Sequence, residues 1–138
     1  MIGVCGDNCS LCPRYLATQD GRAGELERVK NLWVRLGLRD PAFRAQDLAC
    51  HGCSPENECA YRALRACAHE RGVDNCGMCP EYPCRLSRSA LDKSETLYSH
   101  AVRVCTPDEL AALTKAFFYK RQNLDRIHLE KCNGKLNN

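Results

Sequence analysis

Apolar positions along this chain fall in short helical stripes separated by turns that carry cysteine. Leu26, Val29, Trp33 and Leu36 recur on one helix face, which predicts a helix over about residues 24–36 with Gly37 as its stop. Asp40-Pro41 predicts a short helix toward Leu48. Residues 58–71, rich in Ala, Leu and Arg and closed by Gly72, predict another. Pro80 and Pro83 keep the next segment out of helix, and a helix is expected from about Arg85. The clearest start is Thr106-Pro107-Asp108-Glu109, which combines an N-cap, a proline at the first helical position and a glutamate three residues on. Leu110, Leu113, Phe117, Leu124 and Ile127 then share one face, with Asn133-Gly134 as the expected end.

Residues 1–16 predict a cysteine turn without regular structure, and no Val/Ile/Thr alternation announces a strand. The fold class is therefore mainly α: a small helical domain with cysteine-rich metal-binding loops and little or no β. The expected division is a cysteine-rich metal-binding domain over residues 1–90 and a helical C-terminal extension, 91–138, packed on it.

Composition changes the picture at one point. Twelve of the 138 residues are cysteine, about 9 %, while there is one Trp and only three Phe. So short a chain with so few aromatics builds a small core, and cross-links commonly supply the missing stability. Mean hydropathy is −0.46, and no run of 18 apolar residues offers a membrane span. Asp7, Asn8 and Arg14 interrupt any apolar stretch near Met1, so no export signal is read there. The expectation is a cytoplasmic protein whose thiols bind metal rather than form a secreted disulfide scaffold.

Three C-x2-C pairs, Cys9–Cys12, Cys50–Cys53 and Cys76–Cys79, have the spacing with which a tight turn aims two sulfurs at one ion. Gly52 and Gly77 lie inside two of them, where glycine permits backbone conformations closed to other residues. Cys9–Tyr15 and Cys76–Tyr82 repeat as C-x2-C-P-x-Y, which suggests equivalent turns facing each other across a shared ion. The candidate ligands are Cys5, Cys9, Cys12, Cys50, Cys53, Cys59, Cys67, Cys76, Cys79 and Cys84. On one helix Cys59 and Cys67 would stand about 12 Å apart, too far to share an ion. Cys59 is accordingly grouped with Cys50 and Cys53, and Cys67 with Cys76, Cys79 or Cys84. Cys5, Cys9 and Cys12 are left to complete one or both sets. Cys105 and Cys132 are expected to be ordinary thiols, and His128 with Cys132, one helical turn apart, a chance spacing. His51 and His69 are read as solvated.

The expected cofactor is zinc in closed thiolate sites, with an iron–sulfur cluster as the alternative. Four unpatterned histidines argue against catalytic zinc, and the absence of a βαβ pattern argues against a dithiol redox enzyme. Cys5–Cys12 has the C-x3-C-x2-C spacing of radical S-adenosylmethionine enzymes, but 138 mainly helical residues cannot build their barrel. Basic and acidic residues number 7 and 6 in 1–49, 7 and 7 in 50–105, and 6 and 4 in 106–138, so no segment carries a basic footprint for nucleic acid. Two tetrathiolate zinc sites would turn the formal charge of +3 into about −1. Arg62, Arg65, Arg85 and Arg88 are expected to neutralise nearby thiolates.

Val4-Cys5-Gly6-Asp7-Asn8-Cys9-Ser10-Leu11-Cys12-Pro13-Arg14-Tyr15 resembles the opening of a bacterial and archaeal family, domain of unknown function family 3795. Cys50-His51-Gly52-Cys53, Arg65-Ala66-Cys67, Gly72-Val73, Cys76, Cys79 and Tyr82-Pro83-Cys84 continue the resemblance over about residues 4–90. The chain departs from it at Val4, where Tyr is usual, and at Arg62, near which relatives often carry a further cysteine. The resemblance implies a cysteine-rich, metal-binding domain and brings no established activity. Together these readings point to a metal-stabilised accessory or interaction domain that is not an enzyme and takes a protein partner, with electron transfer or redox sensing as the alternative.

Overall fold

The computed structural model describes residues 1–53 and 59–136, which form helices and tight turns, with one isolated bridge between Ile2 and Asn8 and no strand. The helices are α1 (Pro13–Asp20), α2 (Glu25–Arg35), α3 (Arg62–Arg71), α4 (Arg85–Val104), α5 (Pro107–Leu113) and α6 (Lys120–Leu136). The mainly α architecture is as the sequence predicts. The first residue of the expected 58–71 helix falls outside the described residues, as does the expected turn at Ser54–Asn57, and α3 begins only at Arg62, so Cys59 lies before the helix rather than on it.

Three local expectations are corrected. Residues 1–16 are not irregular: Cys9–Leu11 form a 3-10 turn, and Pro13 opens α1, a position that suits proline because its missing N–H has no partner there. Asp40-Pro41 starts no helix, and the turn toward Leu48 is a 3-10 segment at Ala45–Leu48. The last helix is not continuous. Thr106 caps α5 with the anticipated reciprocal box to Glu109, then Thr114–Phe118 widens into a π turn before α6 begins. Asn133-Gly134 does not end α6, since a glycine within a helix costs only about 1 kcal/mol.

Burial divides into two clusters. The first is apolar: Ala17, Val29, Leu32, Trp33, Leu36, Leu48, Ala101 and Leu113, with Phe43, Leu97 and Phe117 packed against them. Trp33 meets Phe117 edge to face at 6.1 Å. The α2 stripe read from the sequence is therefore the face that α1, α4 and α5 cover. The second cluster contains Cys5, Cys76 and Cys79 with Leu64, Tyr82, Ala90 and Leu124. α4 serves both, giving Ala101 to the first and Ala90 to the second.

Candidate metal centre

The two copies of the repeat take the same shape. Cys12 N–H donates to the Cys9 carbonyl at 3.2 Å, and Cys79 N–H to that of Cys76 at 3.0 Å. Asn8 and Asn75 precede the two turns, and each accepts through its carbonyl from the third residue on. The repeat thus extends one residue upstream, N-C-x2-C-P-x-Y, a signal present in the sequence and overlooked. Beyond Pro13 and Pro80 the copies diverge, one into α1 and the other toward a cis Tyr82–Pro83 peptide.

The copies do not face each other. Cys9 lies within electrostatic reach of Cys53, Cys12 and Cys50. α1 holds this group together: Arg14 donates to the Leu48 and Ala49 carbonyls, and the Thr18 hydroxyl accepts from Cys50 N–H at 2.9 Å. Gly52 turns the second knuckle at φ +115°, a value that side chains resist. Burial, then the neighbouring Asp7 and the other thiols, push the Cys9 thiol up to about 12.

Cys67, Cys76, Cys79 and Cys84 line a second space, a cavity of about 200 Å³ shared with Leu64, Arg71 and Tyr82. Burial and the facing Cys84, Cys67 and Cys79 push the Cys76 thiol up to about 11. Burial also opposes ionisation of Cys84, but hydrogen bonds from Ser87 and Leu86 at the start of α4 outweigh it and hold that thiol below its ordinary value. Arg71 reaches Cys79 Sγ at 3.9 Å, and its charge is held by Cys67 first and Glu81 second. Arg71 therefore stands beside these thiols with Arg85 on the cavity wall, and Arg85 also lines a neighbouring hollow with Arg88, Asp92 and Lys93.

The C-terminal segment clamps both turns. Val4 carbonyl accepts from Cys76 N–H at 3.0 Å, joining them, and Asn8 N–H donates to the Ala116 carbonyl in the π turn at 2.8 Å. His128 bonds the Gly77 carbonyl, Lys131 that of Met78, and the Tyr82 hydroxyl donates to Asp125 at 2.6 Å. Gly77 is required here for close approach rather than for φ: a Cβ would stand 2.7 Å from the Leu124 carbonyl.

The remaining predicted ligands are Cys59 and Cys5, the latter packed in the second cluster with Cys76 and Cys79. Cys5 is buried beside Lys120, Nζ to Sγ 3.6 Å, and Lys120 also pairs with Asp7 and lies 4.4 Å from the Tyr61 ring centre. Burial works against the Lys120 charge, yet Asp7, Cys5 and Tyr61 outweigh it and hold the ammonium form. Cys59 Sγ accepts from Tyr61 N–H at 3.3 Å, a local contact. All twelve cysteines are free thiols. Among the described residues, no three His, Cys, Asp or Glu side chains are close enough to grip one ion, so either group would have to draw inward around it.

These features define a cysteine-rich α-helical domain with two separated thiol groups joined through a shared C-terminal clamp. The chain belongs to the family described as protein of unknown function, DUF3795, whose match covers residues 1–89. No match was found among curated proteins or solved structures. The clamp at residues 116–131 lies beyond the family match. No helix among the described residues is long and apolar enough to cross a membrane.

Proposed function

We propose that the protein is a metal-stabilised accessory or interaction domain holding two zinc ions, one on Cys9, Cys12, Cys50 and Cys53 and one on Cys67, Cys76, Cys79 and Cys84. The observation that carries this reading is the cavity walled by the second four thiols, with the Arg71 guanidinium against two of them. Thiols this close repel one another once ionised, and burial raises the penalty further. A divalent cation relieves both, and a guanidinium offsets the charge that four thiolates leave on the ion. A closed tetrathiolate site leaves no open position for substrate, which favours a scaffold that presents a surface to a protein partner.

Metal analysis of protein purified without oxygen tests this, together with serine variants. Two zinc ions per chain are expected, one lost in Cys9→Ser and the other in Cys76→Ser, with both retained in Cys5→Ser. Iron and sulfide with broad absorbance near about 400 nm would replace zinc by an iron–sulfur cluster and scaffolding by electron transfer or sensing.

A further inference from the structure

His128 and Cys132 sit one turn apart on α6. His128 Nδ1 is 3.0 Å from the Gly77 carbonyl oxygen, which only accepts, so Nδ1 carries the hydrogen. In the neutral ring Nε2 then presents its lone pair, and that nitrogen lies 3.8 Å from Cys132 Sγ. Nitrogen and sulfur ligands of a tetrahedral zinc, at about 2.0 and 2.3 Å from the ion, stand about 3.5 Å apart. The pair therefore needs to close by only a few tenths of an ångström. An imidazole steered by a carbonyl on its other nitrogen is the usual support of a ligating histidine.

One chain offers this ion only two donors, and among the described residues no third His, Cys, Asp or Glu side chain joins them. Cys132 is exposed. Leu129, next to His128 and three residues before Cys132, is 62 % exposed, an apolar contact lying open beside the two ligands. Nearby charges are already engaged: Arg126 pairs with Glu130 at 3.2 Å, and Lys131 donates to the Met78 carbonyl.

We propose that a second copy of this chain completes the site. Two α6 helices meet about a two-fold axis, and His128 and Cys132 of each bind one zinc ion while Leu129 of each packs on the other helix. A two-fold axis supplies each donor twice, giving the four ligands that a closed zinc site takes. Two thiolates and two neutral imidazoles leave the occupied ion uncharged, so the interface buries no net charge. The site shares no ligand with the two thiol groups and lies outside the residues of the family match.

Sedimentation of the full chain with and without added zinc tests the proposal, alongside metal analysis. Zinc should convert monomer to dimer with one additional ion per two chains, and a chelator at low dose should restore the monomer. Cys132→Ser and His128→Gln should remain monomeric in zinc. Because Cys132 is exposed, Cys132→Ser should melt like the parent chain, which separates lost ligation from lost folding. Leu129→Glu should weaken the dimer at least ten-fold. A dimer that forms without zinc, a dimer that survives in Cys132→Ser, or an additional ion bound by monomer would each overturn the proposal. Failure of the thiol-group reading would change the zinc that Cys132→Ser retains, not the difference between that variant and the parent.

Discussion

The apolar and cysteine clusters lean on the same helix, α4, and differ in what fills them. Around Trp33 the chain buries leucine, valine and phenylalanine, whose removal from water stabilises the fold wherever they pack. Around Cys76 it buries thiols, a tyrosine hydroxyl and the partly polar Lys120 neighbourhood, groups that oppose folding unless something compensates them. The first cluster is complete in itself. In the second, Asp125 meets the Tyr82 hydroxyl and Asn123 and Lys131 meet the Gly6 and Met78 carbonyls, while among the described residues Asn75 Oδ1 is buried without a partner and thiols face one another at the centre. A protein can afford such a centre when a cation holds it, and the two clusters should then respond differently to metal.

The largest effect expected is that difference. Structural zinc binding is worth about 10–16 kcal/mol at neutral pH, and that free energy is folding free energy. Removing metal with a strong chelator should expose the amides of residues 62–84 to hydrogen exchange while those around Leu32 and Trp33 keep more of their protection. Equal loss in both regions would mean that the clusters fold as one unit. Next in size is Lys120, whose side chain is 2 % exposed. Lys120→Met leaves the Asp7 carboxylate buried without its partner, a change that costs about 3–5 kcal/mol. Lys120→Met with Asp7→Asn should recover much of that loss in a denaturant titration; no recovery would locate the cost in packing instead. Leu48, fully buried in the apolar cluster, gives the reference: Leu48→Ala should cost about 2–5 kcal/mol and leave bound metal unchanged.

Why one cluster was legible and the other only half so follows from where the information lies. The Trp33 stripe is local, since four apolar positions within eleven residues define a helix face whatever covers it. Cysteine spacing is local too, and it grouped Cys67 with Cys76, Cys79 or Cys84, although the helix argument behind that grouping fails because α3 begins at Arg62 and leaves Cys59 outside it. The union of Cys9 and Cys12 with Cys50 and Cys53 depends instead on Arg14 and Thr18 reaching more than thirty residues along the chain, and spacing carries no trace of that. Lys120 was invisible for a related reason: within Tyr119-Lys120-Arg121 it reads as solvated, and only the π turn before it swings it inward. α1 starts at Pro13, a first helical position, but the closely spaced cysteines before it read as a turn without regular structure.

The smallest effect, and the one that isolates the apolar cluster, lies at its rim. Glu109 closes the α5 cap by accepting from Thr106 N–H at 2.9 Å and pairs with Arg35 at the end of α2. Arg35 first, then the Thr106 N–H, hold its carboxyl from an ordinary 4.5 down to about 2. A carboxyl depressed by folding contributes its full stability above 4.5 and loses it as pH falls toward 2. Arg35 is 44 % exposed, so solvent screens the pair, and Glu109→Gln should cost about 1 kcal/mol or less at neutral pH. Trp33, the chain's sole tryptophan and a member of the apolar cluster, reports this region separately from the thiols. Denaturant titrations followed by its fluorescence should show parent and Glu109→Gln differing at pH 6, with the gap narrowing below 4.5 and closing only as pH approaches 2. The comparison between the two proteins cancels whatever acid does to the cysteine cluster, because both carry the same thiols. A gap that stays constant with pH would show that Glu109 acts through its hydrogen bond to the cap and not through its charge.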